Sequence, residues 1–270
     1  MTHQTSAEQK FLAAEKQQRL EKRLYFIGSF ALLALVWEAA RAVHLVDPGV
    51  FPSIPAVIKS GLAMTADGTL LMHCLTSFGR VLAGFSMGII GAIIVGFILG
   101  NFRPMRLLLD PLIGFFRALP PIALIPLMII FFGIGETSKI VVLTYASFFP
   151  AVVVIYQSLV GQNPLYFRAA QTLGATRMEL FRLVLLPQLV PAIITACRVS
   201  LGVCWATLVA AELIAAQQGI GAMMTEAQNF FQMPPMVLGI LLIGIISLTM
   251  DAVVRRIERK ATAWEEKMPS

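Results

Sequence analysis

Charged residues are scarce in this chain, and long hydrophobic runs stand where a soluble protein would alternate. Asp, Glu, Lys and Arg make up 13% of its 270 residues, against about 25% in ordinary soluble domains. Hydrophobic residues reach 57%. Because a bilayer-spanning helix needs about 20 apolar residues in sequence, the composition predicts an all-α, polytopic membrane protein with no separate soluble domain.

Residues that usually carry catalysis or bind metals are also few. The sequence holds three histidines and three cysteines, at His3, His44, His73, Cys74, Cys197 and Cys204. The histidines are scattered, and the cysteines lie in apolar runs without metal or redox spacing. No Ser-His-Asp, His-Glu-x-x-His or paired-carboxylate pattern occurs. We therefore predict no catalytic residues, no metal site and no enzyme activity, and we interpret the cysteines as packing residues.

An energy source is missing as well. The sequence contains no G-x-x-x-x-G-K-S/T phosphate-binding loop, and no series of intramembrane carboxylates and histidines suggests a proton relay. The net charge of +6 comes from basic residues beside apolar runs, which argues against nucleic acid as a partner. If this chain transports a solute, another chain must supply the energy.

The apolar runs predict six membrane spans. They cover residues 24–43, 73–99, 119–134, 140–160, 183–215 and 236–254. We accordingly divide the chain into a polar tail at 1–23, a first span with an external segment at 24–69, a five-span core at 70–255 and a second tail at 256–270. The third span contains Pro120, Pro121 and Pro126, and such a helix is expected to line the protein interior or a water-filled cavity.

The distribution of basic residues predicts the orientation. Six spans place both termini on one side of the membrane, and 16 of the 21 Lys and Arg residues fall on that side. The opposite side holds only Arg41, Lys59 and Lys139. Because cytoplasmic loops are enriched in Lys and Arg, we predict that both termini, with their tails, are cytoplasmic.

A polar segment separates the fourth and fifth apolar runs, on the side predicted to be cytoplasmic. Asn163 followed by Pro164 is typical of a helix start, and Gly174 is typical of a left-handed residue just past a helix end. Thr176 and Glu179 have the spacing of a capping box, which predicts a second helix from about residue 177. We therefore predict two short helices that meet at a glycine corner.

This segment resembles the EAA motif of the permease subunits of ABC importers. The shared positions are Ala169, Ala170, Gly174, Val184, Leu186 and Pro187, while Arg168 stands where the motif usually begins with Glu. The resemblance implies a coupling helix at about 164–180 that docks into a cytoplasmic ATPase. It assigns this coupling to Arg168, Ala169, Ala170, Gly174, Ala175, Leu186 and Pro187. We expect the second helix to be interrupted at Pro187.

Longer stretches extend the resemblance over nearly all of residues 70–255. The segments 131–140, 168–176 and 206–224 are similar to the nitrate, sulfonate and taurine group of these importers, and most similar to taurine permeases. The resemblance implies a type I importer permease in the bacterial cytoplasmic (inner) membrane. Two copies would form the pathway, an ATPase dimer would bind the ATP, and an external or periplasmic solute-binding protein would deliver a small anion. Taurine or another alkanesulfonate is favoured, and nitrate is an alternative.

Three ionisable residues inside the spans are candidates for the solute pathway: Arg80, Arg198 and Glu212. A charge inside a membrane usually faces protein or water and is a functional candidate for that reason. Arg198 and Glu212 lie 14 residues apart on one span, about 21 Å along the helix, so each needs another partner. Arg80 or Arg198 would attract an anion, or alternatively each would only tie neighbouring helices together.

Two further questions stay open at this stage. Glycines in the second span, including Gly84, Gly88, Gly96 and Gly100, allow close helix approach, either within one subunit or between two. A channel or secondary transporter working alone, or a membrane scaffold, is the alternative to an importer subunit. A secondary transporter would need ion-coupling groups or an inverted repeat, and neither is visible.

Overall fold

The computed structural model describes residues 2–43 and 49–262, and the regular structure in this part of the chain is helical. The helices are α1 (Thr2–Ala42), α2 (Ile54–Ala66), α3 (Thr69–Asn101), α4 (Arg103–Ala118), α5 (Ile125–Phe132), α6 (Glu136–Val160), α7 (Pro164–Thr172), α8 (Arg177–Glu179), α9 (Leu186–Ala215), α10 (Ile220–Asn229) and α11 (Met233–Ala261). A 3₁₀ turn at Pro121–Leu124 precedes α5, and a π-helical stretch at Leu180–Leu185 joins α8 to α9.

Five helical segments among the described residues are long and apolar enough to cross a membrane. They are Leu24–Ala42, Thr69–Asn101, Glu136–Val160, Arg177–Ala215 and Met233–Ala261. These correspond to five of the six predicted spans. The all-α, multi-span prediction is confirmed.

The predicted third span, at 119–134, corresponds to the 3₁₀ turn and α5, and α4 precedes these across a sharp bend. The chain bends by 86° between α4 and the segment Pro121–Phe132, so that these two pieces form one broken span at most. The cause is local, since the α-helical region is disfavoured for the residue before a proline. Leu119 and Pro120 each precede a proline, and both have extended backbone, with ψ of 123° and 124°.

The two polar segments predicted as tails are helical over most of the part that the structure describes. Residues 2–23 are helical and continue directly into the first span as the beginning of α1, and 256–261 continue α11. Residues 44–48 and 263–270, which include His44 and Lys267, lie outside the described residues. Two contacts tie the span of α1 to the chain before α2: Trp37 Nε1 donates to the Pro52 carbonyl at 3.0 Å, and Glu38 Oε1 accepts from Ile54 N at 2.9 Å.

The centre of the bundle is built from α3, α6 and α9. A Cβ atom added at four glycines of α3 would collide with side chains of α6, pairing Gly84 with Leu143, Gly88 with Ser147, Gly96 with Ile155 and Gly100 with Leu159. The pairs ascend together along both helices, so α3 and α6 run parallel. These glycines therefore serve close packing within one subunit, which answers the question that the sequence left open.

Helix α9 runs antiparallel to α6. Ser200 Oγ donates to the Ser147 carbonyl at 2.9 Å, and Cys204 Sγ lies 3.5 Å from the Leu143 carbonyl. As a result the starts of α3 and α6 meet the end of α9 at one end of the bundle. The segment 161–185, which connects α6 to α9, lies at the other end.

Candidate functional site

The polar segment between α6 and α9 forms the predicted glycine corner. Asn163 Oδ1 accepts a hydrogen bond from Leu165 N at 2.9 Å, and Pro164 occupies the first turn of α7. Gly174 is left-handed with a φ of 81°. Its N–H donates to the Gln171 carbonyl, and Ala175 N donates to the Ala170 carbonyl, both at 3.0 Å. These two bonds form a Schellman motif, so both helix caps predicted for α7 are confirmed.

The second helix starts at the predicted capping box. Glu179 N donates to Thr176 Oγ1 at 3.3 Å, and Thr176 N donates to Glu179 Oε2 at 2.7 Å. Both reciprocal bonds of the motif are present. The helix therefore begins at Arg177, as the sequence predicts.

The expected interruption at Pro187 does not occur. The helix passes through the π-helical stretch, in which Leu186 N donates to the carbonyl of Phe181, five residues back. Pro187, which has no N–H to donate, then falls in the first turn of α9, directly after the π-helical stretch. The helix that starts at the capping box is thus continuous from Arg177 to Ala215.

The hinge, defined as residues 163–187, exposes apolar side chains. Leu165, Leu173 and Met178 are 64%, 88% and 61% exposed. Arg168 and Ala169 are exposed, whereas Ala170 and Ala175 are half-buried at the corner. A cavity of about 490 Å³ lies beside the hinge, lined by Tyr166, Leu183, Val184, Pro187 and Gln188. Clustered apolar groups on a polar hinge are typical of a surface that binds another protein.

The opposite end of the bundle holds a buried guanidinium. The side chain of Arg80 is 5% exposed. Its Nε and Nη2 donate to the two carboxylate oxygens of Glu136, both at 2.6 Å, and its Nη1 donates to Glu212 Oε1 at 2.6 Å. Nη1 also donates to the Gln218 carbonyl at 2.5 Å. Arg80 therefore ties the starts of α3 and α6 to the end of α9.

Glu212 is buried and fully partnered. Its side chain is 1% exposed, and it accepts hydrogen bonds from Ser77 Oγ at 2.8 Å and from Gly221 N at 2.9 Å in addition to the bond from Arg80. Ser77 Oγ in turn accepts from Ile220 N at 2.8 Å. A buried carboxylate is tolerated when its lone pairs are satisfied in this way.

A glycine allows the chain to enter α10 beside these charges. Gly219 has a φ of 124°, and a Cβ atom at this position would collide with the Glu212 carboxylate and with Arg80 Nη1. Its N–H donates to Nδ1 of the buried His73 at 3.1 Å. Glycine is required here for both space and backbone conformation.

One carboxylate of the group remains open to solvent. Glu136 is 57% exposed, while Lys139, which lies 3.1 Å from it, is 6% exposed. Beside this pair is a cavity of about 360 Å³, lined by Arg80, Ile134, Gly135, Glu136, Lys139, Ala215, Gln217 and Gln218. We call Arg80, Glu136, Lys139 and Glu212 the charge quartet; its formal charges sum to zero.

Arg198, the third pathway candidate, lies apart from the charge quartet. Its Nε is 3.1 Å from Asp251 Oδ1 and its Nη1 is 3.4 Å from Glu258 Oε2, so it connects α9 to α11. Asp251 also pairs with Arg255 at 3.0 Å. The structure thus brings Arg80 and Glu212 together and leaves Arg198 elsewhere. Sequence reasoning missed Glu136, although a Glu and a Lys three residues apart at a span start were a visible signal.

A bundle of membrane-spanning helices with a capped glycine corner at one end is the architecture of an importer permease. Residues 88–263 match the family described as "Binding-protein-dependent transport system inner membrane component". The chain belongs to this family: it is an ABC importer permease subunit, a multi-pass component of the inner membrane rather than an enzyme.

Individual relatives agree with this assignment. A probable ABC transporter permease protein of Brucella abortus is 40% identical over 239 residues, which cover 88% of this chain and 94% of the relative. The taurine transport system permease protein TauC of Escherichia coli is 37% identical, with 88% of each chain covered. The inward-facing MetNI methionine ABC transporter shares the fold, with a TM-score of 0.60 and 21% identity over 72% of this chain and 97% of that one.

Proposed function

We propose that this chain forms the membrane pathway of an ATP-driven importer for small sulfonates, with taurine or another alkanesulfonate as the solute. The observation that carries the proposal is the 37% identity to a taurine permease over 88% of both chains. Nitrate is the second candidate in the same group. The family assignment argues against a channel or secondary transporter that works alone.

The proposed orientation places the hinge in the cytoplasm with both termini. Arg168, Arg177 and Arg182 of the hinge agree with this, because basic residues favour the cytoplasmic side. An ATPase dimer would dock against the exposed Leu173 and Met178, and the ATP would bind to that dimer, so that this chain needs no cofactor of its own. A second copy would complete the pathway.

The continuous helix gives a route for the motion. When ATP closes the ATPase dimer, the hinge moves with it, and the segment Arg177–Ala215 carries the motion about 55–60 Å along its axis. Glu212 lies in the last turn of this helix and holds Arg80. The hinge and the charge quartet therefore lie at opposite ends of one helix. An external solute-binding protein would act at the end that holds the charge quartet.

Uptake measurements test the proposal directly. The chain is expressed with its ATPase and solute-binding protein in a bacterial host that lacks sulfonate uptake, and the accumulation of labelled taurine, ethanesulfonate and nitrate is compared. We expect sulfonate uptake that stops when the binding protein is omitted or when the ATPase cannot hydrolyse ATP. Uptake by this chain alone, or uptake of nitrate without sulfonates, would contradict the proposal.

A further inference from the structure

We propose that Glu136 is an exchangeable counter-ion, and that the anionic group of a solute takes its place on Arg80 and Lys139. The charge quartet would then be a solute-binding site at the external end of the pathway. This inference rests on the proposed function, because it identifies where the permease itself holds its solute.

The members of the charge quartet are buried to very different degrees. Arg80, Lys139 and Glu212 are 5%, 6% and 1% exposed, whereas Glu136 is 57% exposed. The three buried members cannot move into water, but the Glu136 carboxylate can rotate away with little loss of burial. When it does, the buried members carry a net charge of +1, and a buried charge without a counter-ion is costly. The site therefore attracts one monoanionic group.

The position that Glu136 would vacate is shaped by two donors of Arg80. Arg80 binds both oxygens of Glu136 through Nε and Nη2 at 2.6 Å. This planar pair of donors matches two oxygens of a carboxylate, and a sulfonate group also presents two oxygens that can accept from it. The adjoining cavity of about 360 Å³ falls within the usual range for small-molecule sites of about 300–1,000 Å³. The exposed Gln217 adds an amide at its edge.

The Glu136 carboxylate remains beside the site after it is displaced from Arg80. Glu136 stays in the first turn of α6, next to the cavity, after it leaves Arg80. A solute with both a sulfonate and an ammonium group provides partners for Arg80 and for Glu136 at once, while a solute with only the sulfonate leaves Glu136 without a cation. The site should therefore prefer a zwitterion, such as taurine (2-aminoethanesulfonate), over ethanesulfonate, which has no ammonium group.

A cysteine at the cavity edge tests this preference without the solute-binding protein. In the permease–ATPase complex, Cys74, Cys197 and Cys204 are replaced by Ser and Gln217 by Cys. 2-Sulfonatoethyl methanethiosulfonate modifies this thiol: the thiolate attacks the sulfenyl sulfur, a disulfide forms and methanesulfinate leaves. We expect 2-aminoethanesulfonate to slow the modification saturably, with an apparent affinity about two- to fivefold higher than that of ethanesulfonate, as one exposed ion pair would give.

Glu136 variants separate binding from a merely structural role. In Glu136→Gln we expect ethanesulfonate to bind more tightly than 2-aminoethanesulfonate. The ammonium group then has no carboxylate to pair with, whereas the buried cations still lack a counter-ion that either sulfonate can supply. Glu136→Asp, which keeps the charge, should retain the order. Glu226→Gln is the matched control, since it removes one carboxylate from α10 at the same end and leaves the charge quartet intact.

Absence of saturable protection by either solute, or an equal change for both solutes in Glu136→Gln, would overturn the inference. A further outcome is that cells with the complete importer take up taurine normally while the order of the two apparent affinities is the same in Glu136→Gln as in the wild type. In that case the solute-binding role of the charge quartet is wrong, and the proposed function is unaffected. If no sulfonate is taken up by the complete system, the proposed function fails first.

Discussion

At the scale of single residues, Glu212 is the anchor of the charge quartet. Its carboxylate is bound by Arg80, Ser77 and the Gly221 N–H, and all of these bonds are buried. We expect Glu212→Ala to destabilise the protein by about 3–5 kcal/mol, because it removes the buried counter-ion of Arg80 and leaves the two buried cations Arg80 and Lys139 to share Glu136. The thermal unfolding midpoint of the purified complex in detergent measures this, with Glu226→Ala as the exposed control. Equal midpoints for the two variants would contradict the anchoring role.

A second residue-scale prediction concerns the parallel packing of α3 on α6. A Cβ atom at Gly88 would lie 2.7 Å from the Thr144 carbonyl oxygen and would collide with Ser147, whereas Gly79, on the same helix, has open space around it. Gly88→Ala should therefore destabilise the protein by about 1–3 kcal/mol through overpacking. Gly79→Ala should be neutral or stabilising by up to about 1 kcal/mol, because Ala favours helix. Unfolding midpoints that do not separate the two variants would exclude this packing.

At the scale of elements, the hinge depends on one left-handed corner. Gly174 has a φ of 81°, which costs a β-branched residue about 1 kcal/mol or more. We expect Gly174→Val to misplace α7 and reduce both ATPase association and the ATP hydrolysis stimulated by the binding protein. Gly174→Asn should retain much of both, since Asn tolerates this conformation. If Gly174→Val gives wild-type values, the docking role of the hinge is wrong.

The hinge also shows which elements a sequence can predict. Asn163, Gly174 and the pair Thr176 and Glu179 were predicted correctly because each cap is a contact between residues two to five positions apart. The π-helical stretch before Pro187 was not predicted. Its hydrogen bonds join residues five positions apart, and no residue type in the sequence indicates this change from the usual spacing of four. The prolines of the predicted span at 119–134 indicated a helix of unusual course, but the contribution of α4, on the other side of the bend, was not predicted.

At the scale of the whole molecule, no local pattern predicts the partners of the buried charges. Arg80 meets Glu136 and Glu212 across 56 and 132 positions, and such distant pairings follow from the packing of α3, α6 and α9 and not from local spacing. Candidate residues could therefore be found from their unusual position in a span, but their arrangement could not. The same holds for Arg198, whose partners on α11 lie 53 and 60 positions away.

The two ends of the bundle should lie on opposite sides of the membrane. In a background without the three native cysteines, Ala66→Cys on α2 and Leu173→Cys at the hinge occupy exposed positions. We expect a membrane-impermeant maleimide to label Ala66→Cys in intact spheroplasts and Leu173→Cys only after the membrane is opened. The reverse pattern would invert the proposed orientation, and the docking of a cytoplasmic ATPase on the hinge would then be impossible.

We propose that an ATPase outside the membrane drives this chain through the hinge, residues 163–187. Photo-crosslinking from Leu173, the most exposed apolar side chain of the hinge at 88%, tests it most directly in membranes that contain the complete importer. A photoreactive amino acid at Leu173 should cross-link to the ATPase subunit, while the same group at Leu62 on α2 should not. An absence of ATPase cross-links from Leu173, or equal cross-linking from Leu62, would contradict the account.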